Sequence, residues 1–457
     1  MQKVEGKYVY RAACGIFTLL IATGMFMFVW VNFITENNQT GHLTGLGNLG
    51  MATLLYAGLF YFIGKWIGAF EIGVTRMAAN MASVALTAFT VDVLEIFLSM
   101  AITGKVGFFW NFLGKYVCLF CLQFIVLCAL TYPMVVWYRK LFPALRLLEV
   151  YGDKRHGLHA KIDGIKYKYH VEDTVHYRDG IEEIKEKIKK VDAVLISDIP
   201  SHEKNMVLKT CVDMDKRVYF IPKISDVIVR YSEELNLIDT PLFLRRRIGL
   251  NTWERAVKRF FDVILSGAAI VVASPVLLVT AIAIKYEDGG PVFFRQERVT
   301  IGGKRFMILK FRSMIVDAEK DRKPHPAGEK DPSITKVGNI IRATRIDELP
   351  QLWNILKGDM SIVGPRPERY EHVEKYTQMI PEFSFREKVK GGLTGYAQVY
   401  GKYNTTALDK LKMDLMYIMD YSLLLDLQII FDTVKILLRK ESTEGFSAER
   451  AEEMHNG

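Results

Sequence analysis

Two carboxylates stand side by side at Asp347 and Glu348, in the run Arg345-Ile346-Asp347-Glu348-Leu349-Pro350-Gln351-Leu352. Arg342 precedes them, and Asp359 and Glu368 add further carboxylates downstream. Adjacent residues point to different sides of a helix, so the pair does not suit a dyad sharing one proton. It suits divided labour, with one carboxylate as nucleophile and the other as metal ligand or proton handler. Arg342 and Arg345 could neutralise phosphate oxygens. Gly364-Pro365-Arg366-Pro367 holds an arginine between two prolines. The prolines restrict the backbone, so that guanidinium arrives preorganised. Together these residues read as a phosphate-handling constellation with acidic residues for Mg2+. The bland alternative is a surface network of salt bridges.

Other elements must position these groups. Residues 335–342 read as a helix with a basic edge that runs into Arg345, Asp347 and Glu348. Further upstream, residues 260–284 form an apolar stretch long enough to span a bilayer, for which about 20 residues suffice. Lys258 and Arg259 precede it, and Lys285, Arg295 and Arg298 follow. Basic flanks favour the cytoplasmic side, so both ends ask for the same face. A straight span cannot satisfy that, whereas a re-entrant hairpin over residues 258–285 can. Ser274-Pro275 sits near its middle. Proline removes a backbone donor and crowds the preceding turn, which can break the helix there. The serine hydroxyl can help satisfy the freed backbone groups. The alternative is a kinked fifth span, which would strand everything C-terminal to it outside the cell.

The chain has 457 residues, half of them hydrophobic, and a net charge of +9. That length has room for two or three domains. The basic balance fits anionic partners such as a membrane surface or phosphates. No recognised nucleic-acid reader motif occurs, and the basic residues sit beside apolar segments. Five cysteines are too few for a disulfide framework. Cys118-x-x-Cys121 lies in a run of Leu, Phe and Val, where membrane packing explains it better than redox or zinc chemistry.

The N-terminal part, residues 1–146, reads as a four-helix transmembrane domain. Apolar stretches run over 14–33, 50–70, 77–102 and 106–137. No small-residue cleavage site follows the first, so it is not a cleaved signal peptide. Lys3, Lys7 and Arg11 precede span one, Lys65 and Arg76 lie between spans two and three, and Arg139, Lys140 and Arg146 follow span four. The loop after span three carries only Lys105. Both ends of this unit are therefore expected in the cytoplasm. Asp92, Glu95 and Lys115 fall within spans, where charge is expensive. An interhelical ion pair or a dimer contact accounts for them most simply. Residues 147–240 alternate strands and helices, with strands expected at 147–152, 191–197 and 217–222 and a surface helix at 181–190. That pattern is a small Rossmann-like α/β domain. Its first turn reads Gly152-Asp153-Lys154-Arg155-His156-Gly157, without the glycine spacing that lets a backbone approach a pyrophosphate. A structural or regulatory role is expected. Residues 241–457 are a mainly α domain carrying the chemistry and the re-entrant membrane helix broken at Ser274-Pro275.

Four stretches of this last part resemble the bacterial sugar transferases, the monotopic phosphoglycosyl transferases. They are Lys258-Arg259-Phe260-Phe261-Asp262 with Ser274-Pro275; Phe293-Phe294-Arg295-Gln296-Glu297-Arg298 through Lys310-Phe311-Arg312-Ser313-Met314; Arg345 to Gln351 through Asn354, residues 356–361 and Val363 to Glu368; and Gly392-Leu393-Thr394-Gly395 with Ala397-Gln398-Val399. With four spans and a Rossmann-like unit in front, the chain looks like the large subgroup acting on undecaprenyl phosphate. The resemblance implies a two-step displacement. Asp347 attacks the β-phosphorus of a UDP-sugar, UMP leaves, and undecaprenyl phosphate then takes the phosphosugar from the carboxylate. A carboxylate needs no general base at neutral pH. Anion must meet anion, so Mg2+ and arginines have to cover the repulsion. By resemblance Glu348 holds Mg2+, and Arg345 and Arg366 contact phosphate, with Lys310, Arg312 and Glu368 assisting. Glucose or galactose phosphate leads as cargo, and the residues leave N-acetylated sugars open. The setting expected is a bacterial inner membrane with the catalytic domain on its cytoplasmic face, serving exopolysaccharide, capsule or O-antigen assembly. The spans also offer a surface for a homodimer, and residues 408–439 an element that lies on the membrane or packs on the core.

Two positions depart from the family pattern. Thr300 stands where glycine is usual, and Gly391 where proline usually precedes Gly-Leu-Thr-Gly. Both are loop positions, bearing on loop conformation and sugar preference. Two other functions stand against the resemblance. A glycosyltransferase would release UDP instead of UMP, and a membrane sensor would bind an effector in the Rossmann-like domain.

Overall fold

The computed structural model describes residues 2–37, 45–103, 107, 109–153, 162, 165–235, 239–316, 333–402 and 405–437. Its contacts divide the chain into two compact units, Met1–Ile221 and Pro222–Gly457.

The first unit opens with four helices, α1 (Gln2–Asn37), α2 (Gly45–Ile67), α3 (Met77–Thr103) and α4 (Phe109–Leu141). Each is long and apolar enough to cross a membrane. Aromatic residues fill the bundle, with Phe26 stacked on Tyr56 at 4.2 Å between centroids and Phe60 and Phe112 beside them. Phe28, Leu54, Phe62 and Trp110 are exposed on the outside, the arrangement expected when lipid rather than water is the solvent. Asp92 and Glu95 are buried inside the bundle. Gln123 donates to the Tyr56 hydroxyl at 2.8 Å, and that hydroxyl donates to Asp92 at 3.5 Å. Lys115 stands on an exposed side of α4. Asp92 therefore meets a polar neighbour inside the bundle. Cys118 and Cys121 are free and exposed on α4. Lys105 lies outside the described residues.

A parallel sheet completes this unit, in the order β2 (Tyr169–His176), β1 (Leu145–Tyr151), β3 (Ala193–Ser197), β4 (Arg217–Phe220). Helices α5 (Ile181–Lys190) and α6 (Ser201–Asp213) contribute Ile184, Ile188, Val207 and Cys211 to one apolar cluster with Leu148, Val150, Val194 and Ile196. The helix expected at 181–190 and the three expected strands are present. Strand β2 was not legible because it lies at the sheet edge and carries a largely polar, half-exposed sequence. Gly152 ends β1 against β3, where a Cβ would lie 2.1 Å from the Asp198 carbonyl oxygen. Its smallness serves strand packing. Residues 154–157 of the expected turn lie outside the described residues.

The second unit begins earlier than the boundary drawn at 240. Val227 of α7 (Ile224–Arg230) is buried with Phe383, Leu411 and Leu415, residues of the C-terminal part. A short antiparallel pair follows, β5 (Glu233–Leu235) with β6 (Leu242–Leu244). Helix α8 (Thr252–Asp288) starts at a capping box between Asn251 and Glu254 and stops at Gly289, whose φ is 71°. The expected break at Ser274-Pro275 is not a break in the helix, which runs through Pro275. The reason is local. Proline withholds its N–H from the Val271 carbonyl, and the Ser274 hydroxyl donates to that carbonyl instead at 2.8 Å. Beyond α8 come the hairpin β7 (Phe293–Val299) and β8 (Arg305–Phe311), α9 (Lys336–Ala343), α10 (Gln351–Lys357), β9 (Ser361–Val363) and α11 (Tyr370–Met379). Then follow β10 (Gly392–Thr394), parallel to β9, α12 (Tyr396–Tyr400), α13 (Ala407–Met419) and α14 (Leu423–Leu437). The C-terminal helix packs on the core through Asp426 and Ile429, while Leu424 and Leu437 stay exposed. Residues 438 and 439 of the expected surface element lie outside the described residues.

Candidate active site

The carboxylate pair sits between two helices, not within one. Helix α9 ends at Ala343, and Arg345 then turns left-handed with φ 58°. A single 3-10 turn, Ile346–Glu348, carries both carboxylates before Pro350 leads into α10. A non-glycine residue in that region stores strain and is sustained only by surrounding contacts. Those contacts are polar and converge on Glu348. Arg366 Nη2 lies 2.9 Å, Lys310 Nζ 3.2 Å and Arg345 Nη1 3.8 Å from Glu348 Oε1. All three cations converge on that one oxygen.

The local electrostatics push the two acids apart. Burial alone would raise the Glu348 pKa, but the charges of Arg366, Lys310 and Arg345 outweigh it and hold the carboxyl well below the usual range. Burial raises Asp347, as does repulsion from Glu348, while Lys310, Arg345 and Arg342 partly oppose the rise. Burial lowers the Lys310 pKa against the pull of Glu348, and Glu348 raises that of Arg366. Asp347 Oδ1 is buried with no hydrogen-bond partner. Two neighbouring carboxylates with divided environments are the pattern of divided roles. Glu348 is fixed and ionised, whereas Asp347 keeps an unengaged oxygen.

Arg366 is held on all sides. Its Nη1 donates to Gln398 Oε1 at 3.4 Å, and its carbonyl accepts from Arg386 at 3.1 Å. Arg386 also pairs with buried Asp414 at 2.6 Å. Arg298 donates to the Pro367 carbonyl, and Val299 N–H to the Glu368 carbonyl. The Glu368 side chain borders a cleft with Arg366 and Arg386. Of the expected phosphate-contact residues, Lys310, Arg345 and Arg366 thus come together at Glu348. Arg312 does not join them. It is buried against Asp288 at the end of α8, and Gly290 leaves room for its guanidinium, where a Cβ would lie 2.0 Å from Nη1. Asp359 pairs with Lys357 at 3.2 Å.

Other residues act as the frame, and sequence alone did not assign them. Asn354 of α10 accepts from Leu309 N–H and donates to the Met307 carbonyl, both at 2.9 Å, which locks β8 and therefore Lys310 to the helix after the carboxylates. Lys258 pairs with buried Asp426. Asp262 accepts from Ser361 Oγ and Ile362 N–H at 3.0 and 2.9 Å. Arg259 donates to the Leu356 carbonyl at 2.6 Å. The basic and acidic residues opening α8 therefore tether the apolar helix to α10, β9 and α14.

The family described as bacterial sugar transferase matches residues 253–440, and the chain belongs to it. Among its relatives is the UDP-glucose:undecaprenyl-phosphate glucose-1-phosphate transferase of Klebsiella pneumoniae, 42% identical over 239 residues that make up 50% of each chain. A protein of the same description from Caulobacter vibrioides is 42% identical over 190 residues, 40% of this chain and 71% of that one. A UDP-N-acetylgalactosamine-undecaprenyl-phosphate N-acetylgalactosaminephosphotransferase from Aeromonas hydrophila is 43% identical over 185 residues, 40% of this chain and 44% of that one. The chain thus spans about half the length of the first of these relatives.

Proposed function

We propose that this protein transfers a hexose-1-phosphate from a UDP-sugar to undecaprenyl phosphate and releases UMP. The observation that carries the reading is the carboxylate pair: Glu348 neutralised by three cations on one oxygen, and Asp347 beside it with a buried oxygen that nothing engages. An Asp347 oxygen attacks the β-phosphorus, a carboxylate–phosphorus bond forms, and the bond to UMP breaks with its electron pair leaving on UMP. An oxygen of the lipid phosphate then attacks the same phosphorus and returns the Asp347 carboxylate. Arg366, Lys310 and Arg345 form the cationic wall that receives negative charge developing on the phosphoryl oxygens.

Magnesium fits this donor set. Glu348 and Asp347 put hard carboxylate oxygens side by side, Asp347 Oδ1 among them with no hydrogen-bond partner, and Mg2+ commonly takes only one or two carboxylates and completes its shell with substrate phosphates and water. When bound, it would neutralise charge on the diphosphate.

Helix α8 provides the meeting place. Straight, its 37 residues would be about 55 Å long. Yet Lys258 near its start holds Asp426, and Glu287 near its end accepts from the N–H groups of Lys336 and Val337, all within one unit. Val271, Val272, Leu278 and Val279 between these anchors are exposed and apolar. We read α8 as kinking at Pro275 without losing its helical course, so that it re-enters the membrane and returns to the cytoplasmic face, with α1 to α4 as four spans and the parallel sheet as a Rossmann-like structural or regulatory unit. Relatives that act on glucose and on N-acetylgalactosamine match the catalytic part almost equally well, so that match does not discriminate the sugar. Glucose or galactose phosphate is our first choice, in polysaccharide assembly at the inner membrane. The test is product analysis on purified protein with a panel of UDP-sugars, with and without undecaprenyl phosphate and Mg2+. UMP as the nucleotide product supports the reading, and UDP would replace it with simple glycosyl transfer.

A further inference from the structure

Thr300 and Gly391 touch each other. The Thr300 hydroxyl donates to the Asp359 carbonyl at 3.1 Å and accepts from the Gly391 N–H at 3.1 Å. Both residues are buried, so each polar group depends on the other for satisfaction. Glycine at 300 would leave the Gly391 N–H without its acceptor. Proline at 391 would remove that N–H altogether, and a Cβ there lies 2.5 Å from Pro367 Cγ. Either exchange alone damages the junction, whereas both together remove the two polar groups at once.

The junction lies directly behind Arg366. Gly391 backs onto the Pro367 ring, and Gly392 N–H donates to the Pro365 carbonyl at 2.9 Å. Neighbours of Thr300 hold the far side of the same loop, with Val299 N–H on the Glu368 carbonyl at 3.0 Å and Arg298 on the Pro367 carbonyl at 3.2 Å. Between these supports Arg366 reaches Glu348 Oε1 at 2.9 Å. We propose that Thr300 and Gly391 are a matched pair of positioning residues that sets the Pro365–Pro367 loop and so the placement of Arg366 over the reacting phosphate. This inference rests on the phosphosugar transfer proposed above.

The full-length protein is assayed in membranes with UDP-glucose and undecaprenyl phosphate, as wild type, T300V, T300S, G391P and T300G/G391P. T300V keeps the shape and loses the hydroxyl. It should lower kcat by about tenfold with little change in KM for the nucleotide sugar, the scale expected for lost hydrogen bonds that act in the transition state. T300S should stay within about twofold of wild type, since the hydroxyl is the working group. T300G/G391P should be more active than the product of the two single losses predicts. A T300V enzyme equal to wild type, or strictly multiplicative losses, overturns the pair. A wild type that releases no UMP with any UDP-sugar defeats the reaction instead. Amide exchange then decides the pairing: faster exchange across residues 389–394 in T300V but not in T300S upholds it, and unchanged exchange overturns it.

Discussion

Arg366 Nη2 and Glu348 Oε1 lie 2.9 Å apart, joining the Pro365–Pro367 loop to the turn that bears Asp347. The contact makes Glu348 the anchor of the three cations, while Asp347 Oδ1 beside it has no hydrogen-bond partner. Arg366→Lys should therefore lower the transfer rate by about 10²-fold or more, because lysine cannot keep Glu348 and Gln398 engaged while meeting phosphate. Stopped turnover assays check this, with the unfolding temperature as the control. A rate within twofold of wild type would contradict it.

The pH profile follows from the raised pKa of Asp347. As nucleophile it must be ionised, and burial lifts its pKa above the usual 3.8. The rate of UMP release should be full above that raised value and fall as pH drops through it. Glu348 is held low and adds no limb in the working range. Lys310 opposes the rise in Asp347, so Lys310→Met should move the limb to higher pH. A limb that stays in place or moves down in Lys310→Met contradicts the coupling.

Chelation should abolish UMP release, and Mg2+ should restore it. Glu348→Gln should weaken Mg2+ binding, read as a higher metal concentration at half-maximal activity. An activity indifferent to chelator would remove the metal from the account.

The tether of α8 has an energetic signature. Lys258 and Asp426 are each 9% exposed, and removing one partner from a buried ion pair typically costs about 3–5 kcal/mol. Lys258→Ala should lower the unfolding temperature clearly. Lys258→Met combined with Asp426→Leu should recover much of the loss. A single variant as stable as wild type would show that the pair is not holding the helix.

The course of α8 through the membrane is tested by labelling. Trp253 and Tyr286 lie near its two ends and are 76% and 92% exposed. With the five native cysteines replaced, Trp253→Cys and Tyr286→Cys should both react with an impermeant thiol reagent from the cytoplasmic side only. Labelling of Tyr286→Cys from the opposite side would make α8 a through-going span.

The elements that a sequence reveals well here are those with a local cause. Apolar stretches of bilayer length became α1 to α4 and α8, and the spacing of Ile184 and Ile188 gave α5. The carboxylates and Arg366 were legible as a site because their residue types are chemical. Strand β2 was hidden because an edge strand with a polar sequence leaves no periodic signal. The left-handed turn at Arg345 was hidden for another reason. It places both carboxylates outside the α-helices, and Lys310 and Arg366, which hold Glu348, come from distant parts of the chain. The roles of Lys258, Asp262 and Asn354 depend on partners such as Asp426, Ser361 and Leu309, which no local pattern connects. Pro275 marks a weak point that leaves α8 continuous, since the Ser274 hydroxyl donates to the carbonyl that the proline leaves without a backbone donor.

The most direct test of the account is whether a phosphosugar becomes attached to Asp347. The protein is mixed with a UDP-sugar radiolabelled at the β-phosphate, in the absence of undecaprenyl phosphate, then denatured and cleaved for mass analysis. The account predicts label on the peptide containing Asp347, its discharge on adding undecaprenyl phosphate, and no label in Asp347→Asn. Near-normal turnover by Asp347→Asn, or turnover with the label confined to another residue, would contradict it.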